Sequence, residues 1–322
     1  MNSQPLVSLC LPTNGVIEWV FPVLESIYSQ DVNTSLFEVI VTDNGSNNDF
    51  KHRMKEYLAG HDNLKYEETN APLFLNEIEA YKRASGKLIK FVNHRTLLIE
   101  GTLERLIQFV KDNENERPVI YFSNSAIPIE KKQYEYNSFN QFVKTLSYWS
   151  SWSTGMAIWK EDFEKLPEDV SGFNELFPHT SILFNERHRS RYIIDNSVIF
   201  KEMPQGRTPK GNYDLFFAFG VEYVWILCTL LRDKDITADT FRYVAERNLE
   251  FIAELYYDFC VRKEYCSYNL DGLESMYGVF YSKLELKRKV LRLVLKRKTK
   301  RIRKIILRIL HKIYSLLRRS SK

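Results

Sequence analysis

Three short polar clusters, each at the end of an apolar run, hold the groups most able to do chemistry. Pro12-Thr13-Asn14 follows LVSLCL, Asp43-Asn44 follows FEVIVT, and Asn93-His94-Arg95 follows LIKFV. Together they offer hydroxyl and amide groups, a carboxylate, an imidazole and a permanently charged guanidinium. Such a set suits a polar or charged ligand better than an apolar one.

Clusters far apart in sequence need a scaffold that brings them together. Leu6–Leu11, Phe37–Thr42, Leu64–Glu67, Leu88–Val92 and Val119–Phe122 are short apolar, β-rich runs and are predicted strands. Val16–Gln30, Lys51–Ala59, Leu75–Ala84 and Thr102–Asp112 are predicted helices. In the first, Val16, Trp19, Val20, Val23, Leu24 and Ile27 recur at helical spacing, and Pro22 is expected to kink it. Strand–helix alternation predicts right-handed βαβ units and a mostly parallel sheet, an α/β fold. Ligands bind such sheets at the carboxyl ends of the strands, where all three polar clusters fall.

The 322 residues suffice for one large domain plus a smaller helical one. At 44% hydrophobic and 27% charged, the composition is that of a globular chain able to bury a core. The 19 Tyr and 21 Phe serve a core or offer flat faces to sugar rings. Cys10, Cys228, Cys260 and Cys266 have neither metal-ligand nor disulfide spacing and fit buried thiols in a reducing compartment. The start of the chain has no basic, apolar leader pattern, so a cytoplasmic protein is expected. Leu215–Leu231 is apolar but short and interrupted by Glu222, and is read as a buried helix. The pattern from Tyr213 to Phe259 is helical. The expected organisation is residues 1–212 as the sheet domain, 213–282 as a helical subdomain and 283–322 as a basic tail.

The opening VSLCLPTNG, LESIYSQ and FEVIVTDNGSNND resembles, in order and spacing, that of glycosyltransferase family 2 enzymes with a GT-A (Rossmann-like) fold. Asn76, AYKRASGKLIKFVNHR, TGMAIWKEDFEKL and GFNE resemble later blocks of that family. The resemblance covers roughly residues 5–205. It implies that Asp43 hydrogen-bonds the nucleotide base, with Pro12, Thr13, Asn14, Asn44 and Asn76 beside the donor. A carboxylate at a strand end can accept from a base N–H, and the Asn44-Gly45 turn allows close backbone approach. Equally, Asp43 could merely cap the following turn.

In that family an Asp-X-Asp motif holds a divalent metal on the donor diphosphate. Here the matching strand end reads Asn93-His94-Arg95, with no carboxylate. His94 and Asn93 could still ligate Mn²⁺ or Mg²⁺. The favoured alternative is that Arg95 contacts the diphosphate and substitutes for the metal. The family also supplies a carboxylate base after its Gly-Phe-x-Glu stretch, and the register puts Pro178-His179 there. His179 becomes the candidate base of an inverting transfer, with Glu175 and Asp162 as fallback carboxylates. Trp149 and Trp152 in YWSSWSTG, with Gly155, are candidate acceptor contacts, although core packing is the commoner role of Trp. Arg207 and Lys210 in MPQGRTPKGN could close over the diphosphate as a lid.

Lys283–Lys322 carries 17 Lys/Arg and one acid, Glu285, against +5 for the whole chain, so the rest of the protein is acidic. Within 287–319, Val290, Leu291, Val294, Ile302, Ile305, Ile306, Ile309, Leu310, Ile313, Leu316 and Leu317 recur every three or four residues. That predicts an amphipathic helix lying on an anionic membrane surface. Nucleic-acid binding is not expected, and packing against the protein's own acidic body is the other reading.

The sequence thus points to a hexosyltransferase-like enzyme, peripheral on the cytoplasmic face of the membrane. It would move a sugar from a nucleotide-sugar, a UDP-sugar first, to a lipid-linked cell-envelope glycan. The alternative is a catalytically degenerate relative that binds nucleotide-sugar or glycan as the partner of an active transferase.

Overall fold

The computed structural model describes residues 4–167, 172–204, 208–299 and Leu307. Its central sheet is built on two apolar runs. β1 (Val7–Thr13) and β2 (Phe37–Asp43) pair in parallel from Val7↔Phe37 to Thr13↔Asp43. Both are buried almost throughout, as parallel strands covered on two faces must be. β3 (Leu64–Glu68) adds in parallel outside β2. β4 (Leu88–Phe91) pairs in parallel on the other side of β1, from Val7↔Leu88 to Cys10↔Phe91. Pro12, expected to end β1, lies within it. Pairing with β4 stops at Cys10, so the missing N–H of Pro12 costs no ladder bond on that side.

The helices fall close to their expected places. α1 (Ile17–Tyr28) contains Pro22 and buries Trp19, Val20, Val23, Leu24 and Ile27. α2 (Asn48–Leu58) begins at Asn47, whose side chain accepts from the N–H groups of Asp49 and Phe50. α3 (Asn76–Lys82) precedes β4, and α4 (Thr102–Asn113) buries Leu103, Leu106, Ile107 and Val110.

Beyond α4 the structure departs from the sequence pattern. β5 (Thr96–Leu98) pairs antiparallel with β10 (Phe200–Glu202). β6 (Val119–Phe122), expected as the fifth strand of the main sheet, instead joins a separate one. Its neighbour there is the parallel β9 (Tyr192–Asp195), which also pairs antiparallel with β7 (Gln133–Tyr136). The edge beside β4 is taken by β8 (Ala157–Trp159), antiparallel, giving the order β3-β2-β1-β4-β8. Three residues are too few to show a period, so β8 has no sequence signature.

α5 (Phe139–Leu146), α6 (Lys160–Phe163) and α7 (Pro178–Asn185) flank these strands. α8 (Leu215–Phe217) continues through a π turn, Ala218–Glu222, into α9 (Tyr223–Arg232). α10 (Ala238–Leu255), α11 (Leu273–Met276) and α12 (283–299) follow. The stretch Leu215–Arg232 is long and apolar enough to cross a membrane by length and composition. Leu215, Phe216, Tyr223, Val224 and Leu227 in it are buried, and Trp225 is exposed.

Two compact units emerge: Met1–Thr208 with Trp225–Val244, and Pro209–Val224 with Ala245–Lys322. The division is therefore not a single cut near residue 212. Residues 225–244 belong to the first unit, where Arg187 pairs with Asp235 at 2.9 Å and Asn140 accepts from the Thr237 N–H at 2.8 Å.

Candidate active site

The ends of β1 and β2 are tied together before any ligand is considered. The Asn44 N–H donates to Thr13 O at 3.1 Å. Asn76, at the start of α3, is buried and donates to Thr13 O at 3.1 Å and Thr42 O at 2.9 Å. Its amide oxygen accepts from the Thr69 hydroxyl at 2.7 Å. Asn76, expected beside the donor, thus has both ends of its amide engaged in stitching strand ends. The Asn44 amide holds the Ala71 and Leu73 carbonyls at 2.9 and 3.2 Å. Gly45 runs so close to Asn14 that a Cβ would stand 2.1 Å from Asn14 O, so only glycine fits.

Asp43 is 1% exposed. One carboxylate oxygen accepts from the Gly45 N–H at 2.8 Å and the other from the Tyr66 hydroxyl at 3.1 Å. Burial pushes this carboxyl up, and those two hydrogen bonds pull against the shift. The Tyr66 contribution was not foreseen, since the residue sits on an edge strand whose pattern is polar.

Across β1 stands the third cluster. The Thr13 hydroxyl accepts from the Gly15 N–H at 3.1 Å and lies 2.9 Å from His94 Nδ1. Burial, and then the adjacent Arg95, draw the His94 imidazole down to about 3, so it is neutral near pH 7. The Asn93 side chain accepts from the Arg95 N–H at 3.0 Å and shapes the turn. Trp19, at the start of α1, organises the other two residues. His94 meets it edge-on at 4.9 Å, and the Arg95 guanidinium lies over it at 5.3 Å. Arg95 Nη1 is buried with no hydrogen-bond partner among the described residues.

Under this turn lies a lysine that the sequence reading passed over. Lys90 is 3% exposed, and its Nζ donates to Phe91 O at 2.8 Å, Thr154 O at 2.5 Å and Met156 O at 3.3 Å. Burial draws its pKa to about 7, with Glu77 acting in the opposite direction. Its place in an apolar strand was the available signal.

The Trp149–Gly155 segment is fastened from two sides. The Tyr121 hydroxyl reaches the carbonyls of Trp149 and Trp152. The Trp149 and Trp152 rings meet at 5.5 Å, and both are half-buried. Gly155, expected at the acceptor, is buried against Tyr121, whose ring would stand 2.1 Å from a Cβ.

His179 lies on the first turn of α7, 5% exposed. Its Nε2–H donates to Ser151 O at 2.9 Å, while the neighbouring Thr180 hydroxyl donates to Ser150 O at 2.9 Å. Nδ1 is buried without a hydrogen bond among the described residues, 3.5 Å from Glu77 Oε2. Both ring nitrogens face protein: Nε2 holds the Ser151 carbonyl and Nδ1 faces the Glu77 carboxylate, where the sequence expectation had a base open to an acceptor. Among the fallback carboxylates, Asp162 is buried between Lys165 and Arg189 at 2.7 and 2.6 Å, and Glu175 is exposed. Arg207 lies outside the described residues. Lys210 belongs to the second unit, where its N–H donates to the Ser267 hydroxyl at 2.9 Å.

Asp43, Arg95 and His179 nonetheless share one connected region. Asp43 is registered beside Thr13, Thr13 contacts His94, and Asn76 links Thr13 to the helix turn bearing Glu77, which faces His179. The turn after β4 offers no carboxylate to a divalent metal. His94 Nδ1 is engaged by Thr13, a guanidinium stands beside it, and no group of three or more His, Cys, Asp or Glu able to hold an ion occurs among the described residues.

The five-stranded sheet, with its antiparallel edge strand and polar groups at the carboxyl ends of its strands, has the GT-A glycosyltransferase architecture. Residues 8–173 match the model of glycosyl transferase family 2, and the chain belongs to that family. It is 27% identical over 143 residues, 43% of its length, to the minor teichoic acid biosynthesis protein GgaB of Bacillus subtilis (strain 168). It spans only 15% of that relative. S. aureus TarS 1-349 in complex with UDP-GlcNAc superposes with a TM-score of 0.51 at 17% identity, over 89% of this chain and 78% of that one. Mannosyltransferase PcManGT from Pyrobaculum calidifontis in complex with GDP-Man and Mn²⁺ gives 0.52 at 15% identity, over 91% and 87%. These likenesses establish the shared fold.

Proposed function

We propose that the chain transfers a sugar from a nucleotide-sugar, a UDP-sugar first, to a cell-envelope glycan of the teichoic type. The acceptor is lipid-linked, and the transfer inverts the anomeric carbon. The observation that carries this reading is the buried Nη1 of Arg95 at the end of β4, which has no hydrogen-bond partner among the described residues. A guanidinium there is the natural partner of a diphosphate, two N–H groups to two phosphate oxygens. It would neutralise charge developing on the leaving nucleotide without a metal ion. Trp19 and the Thr13–His94 contact hold the guanidinium and its loop in place beforehand. Relatives support the ligand class: TarS was crystallised with UDP and with UDP-GlcNAc, and GgaB is a teichoic acid biosynthesis protein.

The enzyme would work on the cytoplasmic face of the membrane, held peripherally through 287–319, with no role for nucleic acid. An acceptor confined to a bilayer makes such attachment useful.

The test is transfer from radiolabelled UDP-sugars to lipid-linked wall glycan, with and without chelator, beside a thermal-shift screen of nucleotide-sugars. A stabilising donor and chelator-insensitive turnover, with an inverted product anomer by NMR, are expected. Failure of every nucleotide-sugar to raise the melting temperature would sink the reading. The enclosed position of His179 favours one second reading, a protein that binds donor without turnover. Donor binding with no transfer to any wall acceptor would establish it.

A further inference from the structure

We propose that α12 docks the second unit onto an anionic lipid surface through an outward stripe of three leucines. This rests on the membrane reading above and assigns it to a folded surface ahead of residue 300. Leu284, Leu291 and Leu295 are separated by seven and four residues, so they share one helix face, and they are 56%, 59% and 55% exposed. The opposite face is occupied. Leu286 is buried, while Val290, Leu293 and Val294 are half-buried. The single stripe expected from Val290, Leu291 and Val294 is thus two stripes, one inward and one outward.

The charges divide in the same way. Lys289 pairs with Glu246 and Glu250 of α10 at 2.7 and 2.9 Å, and Arg297 pairs with Asp258 at 2.8 Å. Packing against the protein's own acids therefore holds α12 in place. Lys287, Arg288, Arg292 and Lys298 make no ion pair among the described residues. At 100° per residue they flank the leucine stripe. Single exposed leucines are ordinary on a soluble protein. Three in line between four cations, on a helix whose other face is already engaged, match a surface that is both apolar and negatively charged. The stripe is convex, so a lipid interface receives it without a complementary groove. Each cation near such a surface is expected to raise partitioning about fivefold.

Co-sedimentation of the full chain with phosphatidylglycerol/phosphatidylcholine vesicles, against phosphatidylcholine alone, tests this. Wild type is expected to bind the anionic vesicles. Leu284→Ser with Leu291→Ser and Leu295→Ser should weaken binding at least tenfold at an unchanged melting temperature. Should that variant melt lower, Lys287→Glu with Arg288→Glu and Arg292→Glu probes the same face and should weaken binding as strongly. If both variants bind as wild type while Ile305→Ser with Ile306→Ser and Ile309→Ser does not, the membrane reading stands and the α12 surface is overturned. If wild type ignores anionic vesicles, both fall, and the transfer assay remains an independent test of the enzyme.

Discussion

The Thr13 hydroxyl stands 2.9 Å from His94 Nδ1 and joins the end of β1 to the turn after β4, 81 residues away in sequence. The folded chain holds this imidazole at a pKa of about 3, against about 6.5 when unfolded. Between those values the unfolded chain carries a proton that the folded one lacks. Stability from this group is therefore full above pH 6.5 and is lost as pH falls toward 3. His94→Gln removes the titration. Its unfolding free energy, measured from pH 7 to 4, should fall less steeply than wild type, by up to about 1.4 kcal/mol per pH unit. Parallel acid limbs would contradict the burial of this ring.

Arg95→Ala should weaken UDP-sugar binding by roughly 2–3 kcal/mol, about 30- to 150-fold in Kd, because a charge-assisted pair of hydrogen bonds is lost. Folding should suffer little, since Nη1 has no hydrogen-bond partner among the described residues. Arg95→Lys should recover only part of the affinity, as an ammonium cannot make the planar fork. Calorimetric titration beside a melting curve reads both effects. Unchanged donor affinity in the alanine variant would remove Arg95 from the site.

His179→Ala should lower stability by about 2 kcal/mol through the lost bond to Ser151 O and the space left behind. His179→Asn keeps an N–H donor near that carbonyl and should recover much of the transfer rate. An obligatory base would behave differently: both variants would lose turnover alike while keeping their melting temperatures. Steady-state rates of the two variants, set against their melting curves, decide between clamp and base.

Lys90 gives a signature on the alkaline side. Its folded pKa of about 7 lies below the ordinary value of 10.5, so unfolding takes up a proton between those limits. The cost of burying the ammonium is full below pH 7 and is relieved as pH rises toward 10.5. Wild type should therefore gain about 2 kcal/mol relative to Lys90→Met between pH 7 and pH 9. A stability difference independent of pH over that range would mean that Lys90 titrates normally.

Gly155→Ala would drive a methyl group into the Tyr121 ring, 2.1 Å from its nearest atom. Overpacking against a ring held by two carbonyls should cost on the order of 1–3 kcal/mol. Because the displaced segment contains Trp149 and Trp152, which we propose as acceptor contacts, acceptor KM should rise more than donor KM. Equal melting temperatures for wild type and variant would show that the segment yields freely.

The first half of the chain announces itself through period and punctuation. Val7–Leu11 and Phe37–Val41 are apolar because both their faces are covered, and the helix face of Trp19, Val20, Val23, Leu24 and Ile27 is spaced for one sheet. β5, β7, β8, β9 and β10 are three or four residues long and carry no such period. That is why β6 was drawn into the wrong sheet.

By itself, the sequence determined that polar groups stand at the ends of apolar strands and that Asn93-His94-Arg95, after β4, holds no carboxylate. Both are local facts of residue type and order. Tertiary structure decided what each group is free to do. Asp43 became engaged by Tyr66, Asn76 by two strand ends, and His179 by Ser151, while Arg95, its guanidinium over Trp19, kept a nitrogen without a hydrogen-bond partner among the described residues. Whether a polar atom is satisfied depends on neighbours that arrive from dozens of residues away, and no local pattern encodes their distance.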